Sequence, residues 1–316
     1  MLSRVAERIY WMARYLERAE NTARLINVNS NLLLDLPKGV TPGWMPLIEI
    51  MGDKEVFHEL YNDANERNII RFLASEPKNS SSISMSLYLA RENARTLRDI
   101  IPSECWEAIN DLHDFVKQHL PNGLSRKNRF TFFQDIIGQI QKVTGILEGT
   151  MLRDSGYHFL RIGTYLERAD MTSRILDVRS GNLLANDAGD LPPFEHIQWI
   201  SVLSSLSAYH SFRQEIRGII RSASVLHFLL RSELFPRSFA HCVNEVRNCL
   251  RDLPHSKKLQ EIAGHLCESL ESVELTEVKD QSLYLLIDQL QIELAQLHNA
   301  IAKDYFSIER KNVAAH

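Results

Sequence analysis

Tyr15-Leu16-Glu17-Arg18-Ala19-Glu20 returns 150 positions later as Tyr165-Leu166-Glu167-Arg168-Ala169-Asp170. The match extends on the same shift. Thr22, Arg24, Val28, Ser30, Leu33 and Leu34 fall on Thr172, Arg174, Val178, Ser180, Leu183 and Leu184, giving 13 identities over positions 1–34. A weaker echo follows at shifts of 155 to 156: Trp44 meets Trp199, Phe72-Leu73 meets Phe228-Leu229, Ser82 meets Ser238, and Arg91 meets Arg247. A fixed-period self-match of this kind predicts an internal repeat. The expected organisation is a first unit over 1–150, a second over 151–306 beginning near Met151, and a frayed tail over 307–316.

The repeated stretch is helical in its periodicity. At 100° per residue, Val5, Ile9, Met12, Leu16, Ala19, Ala23 and Ile26 fill one arc, and Glu7, Tyr10, Arg14, Glu17, Arg18, Asn21 and Arg24 fill most of the other. The same apolar period continues along the chain between proline breaks at Pro37–Pro46, Pro77, Pro102, Pro121, Pro192-Pro193, Pro236 and Pro254. No segment alternates with period two. The predicted fold is therefore all-α, a helical bundle whose two halves pack as one body. Helices are expected near 2–34, 44–52, 54–75, 83–100, 103–119, 129–152, 154–185, 195–208, 210–232, 237–252, 256–272 and 279–306.

Composition agrees. Glycine and proline together number 23 of 316 residues, about 7% against a usual level near 12%, too few for a chain of strands and tight turns. Net charge is −4, with 18 Lys+Arg against 19 Asp+Glu in residues 1–150 and 18 against 21 in the rest. Without a basic field, nucleic acid is not an expected partner. No apolar run reaches 18 residues, so no membrane span is expected. Four cysteines without a CxxC pair read as reduced thiols, and Glu7, Glu17 and Glu20 argue against an N-terminal transit peptide. The expected location is cytoplasmic.

Several constellations carry candidate chemistry. Glu17, Arg18 and Arg24 repeat as Glu167, Arg168 and Arg174, while neighbours drift, Arg14 to Thr164 and Asn21 to Met171. Solvated faces have little reason to keep charges that way, whereas buried ones do, because a half-satisfied buried ion is costly. These six residues are expected at the junction of the halves, either as structural ion pairs or lining a cleft. Arg91 and Arg95 share a helix face with Arg98 one turn on, a spacing that holds a carboxylate or phosphate, or pairs with neighbouring acids. Arg237 and Ser238 open a helix, where free N–H groups attract anions and where Ser also caps. Gly138, Gly145, Gly149, Gly156 and Gly163, four or seven apart, predict closely crossing helices.

Catalytic signatures are thin. Glu55 and His58 form one ExxH, whereas a di-iron bundle needs two with two further carboxylates. There is no HExxH, P-loop, GxGxxG or GxSxG, so neither a metal nor a cofactor is expected.

The N-terminal run Leu2-Ser3-Arg4-Val5-Ala6-Glu7, then Tyr10-Trp11, Arg14-Tyr15 and Glu17-Arg18-Ala19-Glu20-Asn21-Thr22-Ala23-Arg24, resembles the alpha-E family, a bacterial all-helical family named for its Glu-Arg motif. Gly149-Thr150-Met151, Tyr157, Phe159, Gly163 and Glu167-Arg168-Ala169-Asp170 resemble its second motif. Ala90 to Arg95 and Pro236-Arg237-Ser238 fit it too, and the likeness covers nearly the whole chain. Arg161 opposite Trp11 shows that the copies are not interchangeable. The resemblance implies a role beside circularly permuted ATP-grasp ligases and transglutaminase-like proteins in bacterial peptide or amide synthesis and modification. It points to Glu17, Arg18, Glu167 and Arg168.

The leading expectation is an accessory binding component without independent catalysis, docking such a ligase or holding an acidic peptide. The alternative is an enzyme, with Glu17 or Glu167 as general base and Arg18 or Arg168 as oxyanion or carboxylate clamp. The third reading is a structural homo-oligomer.

Overall fold

The computed structural model describes residues 1–35, 43–184, 192–271 and 280–307. The expected breaks at Pro37 and Pro42, and the expected tail beyond Ser307, lie outside the described residues. Fourteen α-helices are present among those described, and no strand. In chain order they are α1 (Ser3–Asp35), α2 (Met45–Met51), α3 (Lys54–Leu60), α4 (Glu66–Ser75), α5 (Ile83–Arg95), α6 (Ser103–Gly123) and α7 (Arg129–Thr150). Then come α8 (Ser155–Leu184), α9 (Pro192–Ser205), α10 (Tyr209–Glu215), α11 (Ser222–Arg231), α12 (Phe239–Arg251), α13 (Lys257–Glu271) and α14 (Asp280–Ile301). A single π turn, Ala302–Phe306, closes α14.

Two expected helices are each split. The stretch 54–75 breaks after Leu60, because Asn65 starts a new helix by accepting from the Asn68 N–H, and the Asn68 side chain reaches back to the Asp63 carbonyl. The stretch 210–232 breaks around Gly218, whose φ of 129° only glycine adopts without strain. Conversely, α6 runs on through Pro121 to Gly123.

The packing has two similar parts. Helix α1 packs on α5 and α7, and α6 fills between α5 and α7; α8 packs on α12 and α14, and α13 fills between those. Corresponding helices have matching lengths: seven residues in α3 and α10, ten in α4 and α11, thirteen in α5 and α12, twenty-two in α7 and α14. Ser82 caps α5 by accepting from the Met85 N–H, and Ser238 caps α12 by accepting from the His241 N–H.

The two parts meet along α1 and α8. Helix α2 lies on α8 and α9 lies on α1, so each part reaches across to the other's long helix. Ala13 faces Gly163, and Arg18 faces Glu167, so residues at equal offsets meet and the two helices run in the same direction. At that crossing a Cβ on Gly163 would lie 2.4 Å from the Tyr10 carbonyl oxygen. Gly138, Gly145 and Gly149 do not contribute, since a Cβ on any of them meets nothing within 4 Å. The expected glycine stripe is thus a close crossing only at its end.

Helix α1 is surrounded rather than amphipathic. Ile9, Met12, Leu16, Ala19, Ala23 and Ile26 are buried as expected, but Tyr10, Glu17 and Asn21 from the polar arc are buried too. Polar side chains on such a helix must find partners inside the protein.

Candidate functional site

The Glu-Arg pairs face each other across the α1–α8 crossing. Glu167 is 1% exposed. Its Oε1 accepts from Arg18 Nε at 2.6 Å, and its Oε2 accepts from Arg14 Nε at 2.6 Å and Arg18 Nη2 at 3.0 Å. The reciprocal pair is looser: Arg168 Nε lies 3.1 Å from Glu17 Oε2. Glu17 Oε1 instead accepts from Arg237 Nη1 at 2.5 Å. Arg237 also donates to Asn21 Oδ1 at 2.9 Å and to Glu20 Oε1 at 3.3 Å. Glu20 is bound by Arg24 one turn on, and by Gln141 Nε2 from α7 at 3.4 Å. Arg174 pairs with Asp170 at 2.9 Å on the more open side of α8.

The sequence expectation therefore divides. Glu17, Arg18, Arg24, Glu167, Arg168 and Arg237 form one buried cluster, with Arg174 at its edge. Ser238 serves as the cap of α12. Arg91 and Arg95 stay with their own surroundings: Arg91 donates to Asn110 Oδ1 at 2.8 Å, and both pair with Glu92. Arg98 lies over the Trp106 ring, 4.2 Å from its centroid. The cluster also holds two residues that the sequence self-match does not single out. Arg14 and Asn21, which face Thr164 and Met171 on the 150-residue shift, are both integral to it.

Electrostatics explain how ions survive here. Burial alone raises the Glu167 carboxyl, but Arg18 and Arg14 outweigh it and hold the group down at about 2. Glu17 is likewise held below the usual carboxylate range, burial being outweighed by Arg168 and Arg237. A carboxylate with pKa near 2 and both oxygens hydrogen-bonded is a poor proton acceptor, which counts against Glu167 as a general base. Burial pushes the Cys105 and Cys242 thiols up to about 12, so neither is a thiolate nucleophile near neutrality. Among the described residues no three His, Cys, Asp or Glu side chains converge to hold a metal ion.

A polar chain leads out of the cluster. Arg14 Nη1 donates to the Tyr10 hydroxyl at 3.1 Å, and that hydroxyl lies 2.6 Å from His298 Nδ1 on α14. Burial and the nearby Arg14 lower the His298 imidazole to about 4, leaving Nδ1 free to accept the tyrosine proton. These shifts fix an acid response. The unfolded chain takes up a proton on His298 below about 6.5, while the folded chain resists until about 4. Glu167 repeats this between 4.5 and about 2. Both folded values are depressed, so stability is full above about pH 6.5 and falls as pH drops. We expect Tm to decline in two stages between pH 7 and 3, with His298→Asn removing the upper stage. A profile unchanged by that substitution would contradict the assignment.

The cluster is rich in donors. Arg14, Arg18, Arg24, Arg168 and Arg237, each less than one-fifth exposed, surround three carboxylates, Glu17, Glu20 and Glu167, while Asp170 also acts on Arg14 and Arg18, and Asp53 on Arg18. The buried atoms of these residues and Asn21 that lack a hydrogen-bond partner are Asn21 Nδ2, Arg24 Nε and Arg168 Nε, all donors; Arg168 Nε pairs with Glu17 by charge without the alignment of a hydrogen bond. A cavity of about 220 Å³ opens beside Arg168 between α1, α7 and α8. Glu17, Arg168, Arg161, Tyr165, Thr144 and Glu148 are among its lining residues.

The comparisons accord with this geometry. A family model described as "Alpha-E: A predicted alpha-helical domain with a conserved ER motif" matches residues 1–306. An uncharacterized protein of Mycobacterium bovis and one of Mycobacterium tuberculosis are each 21% identical over 271 residues. The match takes in 80% of this chain and 30% of each relative, so the chain spans less than a third of their length. No solved structure is similar to it. Among the described residues no helix is long and apolar enough to cross a membrane. With the Glu-Arg motif read from the sequence, placed at the crossing of α1 and α8, and matched over residues 1–306, the chain belongs to the alpha-E family.

Proposed function

We propose that the protein is a binding component of a bacterial peptide- or amide-modifying system, and that its α1–α8 junction receives an acidic group. In this reading residues 1–150 and 151–306 are two copies of one helical unit, and the swapped contacts of α2 and α9 lock them together. The partners are a circularly permuted ATP-grasp ligase and a transglutaminase-like protein, as the family resemblance implies. Most of each mycobacterial relative lies outside the matched region, which supports a component acting beside other modules.

The excess of buried donors carries the reading. Asn21 Nδ2, Arg24 Nε and Arg168 Nε are buried without a hydrogen-bond partner, an arrangement that costs free energy unless an acceptor completes it. A glutamate or aspartate side chain entering the cavity beside Arg168 would supply a charged acceptor. The enzyme alternative gains nothing from this geometry, because the candidate bases are already clamped.

The test is calorimetric titration with tetraglutamate, alongside thermal denaturation. Wild-type protein is expected to bind and to gain stability with ligand concentration. Arg168→Lys keeps the charge but loses the planar fork, and is expected to bind at least tenfold more weakly. No heat and no Tm shift with tetraglutamate would refute the acidic-group reading. Co-purification with the co-expressed ligase tests the partner, and its absence would remove that part.

A further inference from the structure

A second cavity lies elsewhere. A groove of about 640 Å³ lies between α4 and the turn from α6 into α7, well inside the range of small-molecule sites. Its charged lining is Arg67 and Arg71 from α4, Arg126 from the turn, Arg129 from the start of α7, and one acid, Glu66. Four guanidinium groups against one carboxylate leave a local charge of +3 on a protein whose net charge is −4.

Part of this groove is built and part is open. Arg129 is pinned: its side chain is 13% exposed, it pairs with Glu66, and it lies over the Trp44 ring at 5.5 Å. Arg126 reaches the other Glu66 oxygen at 2.5 Å. Both arginines hold that carboxyl below its usual range against the opposing effect of burial. The turn beneath is fixed by Gly123, where a Cβ would sit 2.6 Å from the Phe132 ring. Arg67 and Arg71, by contrast, are exposed and have no carboxylate partner among the described residues. They lie one helical turn apart on the same face. The start of α7 adds to the field, since Asn128 makes no side-chain cap and the first turn carries no acid.

The geometry points to this groove as a binding site for an oligophosphate group, separate from the junction cluster and independent of how that cluster is read. Charge density selects the class. An extended acidic peptide presents one carboxylate on a given face about every 7 Å. A triphosphate places three or more charges within a similar span, matching the +3 left by four arginines and Glu66 along one groove. Guanidinium forks also suit phosphate oxygens in pairs.

The probe is inorganic tripolyphosphate, titrated into the full chain at low and high salt, with tetraglutamate in parallel. Binding by wild-type protein is expected, weakening as salt screens the exposed arginines. The double variant Arg67→Ala/Arg71→Ala is expected to lose at least tenfold in tripolyphosphate affinity. Both positions are exposed, so it should fold, with an unchanged Tm as the check. Any tetraglutamate affinity, which the proposed function assigns to the junction, should not move in this variant. Absence of tripolyphosphate binding, or equal binding by the double variant, would overturn the proposal. So would a groove that loses tetraglutamate as strongly as tripolyphosphate. A nucleoside triphosphate that binds more tightly than the inorganic probe, with the same loss in the variant, would place the oligophosphate on a nucleotide.

Discussion

Glu167→Gln is expected to destabilise the protein by about 3–5 kcal/mol, the cost of leaving one side of a buried ion pair uncompensated. The substitution is nearly isosteric, so packing changes little. What changes is charge: Arg14 and Arg18, both under one-fifth exposed, lose the carboxylate on which both converge. Against a typical total of about 5–15 kcal/mol, that is a large fraction of stability, on the order of 10 °C in Tm. The ion pair itself is a different quantity. Replacing Arg14 and Arg18 by Met together with Glu167 by Leu should recover most of the loss, because a dry apolar junction costs no desolvation of ions. Denaturant melts of the single and triple variants measure both numbers. A single-variant cost below about 1 kcal/mol, the usual size for an exposed pair, would mean that the junction is wetter than its burial indicates.

This prediction rests on residues of uneven visibility in the sequence. Glu17, Arg18, Glu167 and Arg168 stood out because charge that persists while neighbours drift implies a partner, and each has one across the crossing. Arg14 was hidden by the same comparison, since Thr164 occupies its equivalent place. A local signal was present: Arg14 and Arg18 are four apart on one helix, so a carboxylate that reaches one reaches both. Arg237 was legible as a helix-start residue. Its three acceptors lie more than 200 positions away on α1, and only tertiary contact could bring them to it. His298 had no local signal at all. Its partner Tyr10 falls on the polar arc because a helical wheel ranks faces by polarity, whereas α1 is enclosed on nearly every side.

Fold class was more legible than site because it depends on periodicity, which is local. The helix limits failed where side-chain chemistry overrode the period, at the Asn65 cap and the left-handed Gly218. The glycine stripe failed for another reason. Spacing tells which residues share a face, but not what that face meets.

That distinction yields the second large effect, two glycine-to-alanine substitutions of opposite sign. In Gly163→Ala the new methyl would lie 2.4 Å from the Tyr10 carbonyl oxygen and 3.2 Å from the Ala13 Cβ. The first contact is with backbone in the middle of a buried helix, which has no rotamer to change. The helices must separate, at a cost of roughly 3 kcal/mol or more for such overpacking. The gain of about 1 kcal/mol in helix propensity does not offset it. Gly138→Ala on α7 places its methyl in open space and keeps only the propensity term, so it should stabilise by about 0.5–1 kcal/mol. The first change should also reach the site. The Glu17–Arg168 and Arg18–Glu167 pairs lie one turn beyond the crossing, and helices forced apart at Gly163 pull those pairs apart with them. Gly163→Ala should therefore abolish the lower, carboxylate stage of the acid transition, whereas Gly138→Ala should leave it in place. Thermal melts from pH 7 to 3 on the two variants decide the matter. If both substitutions stabilise, the α1–α8 contact is not close enough to hold the Glu-Arg pairs as described.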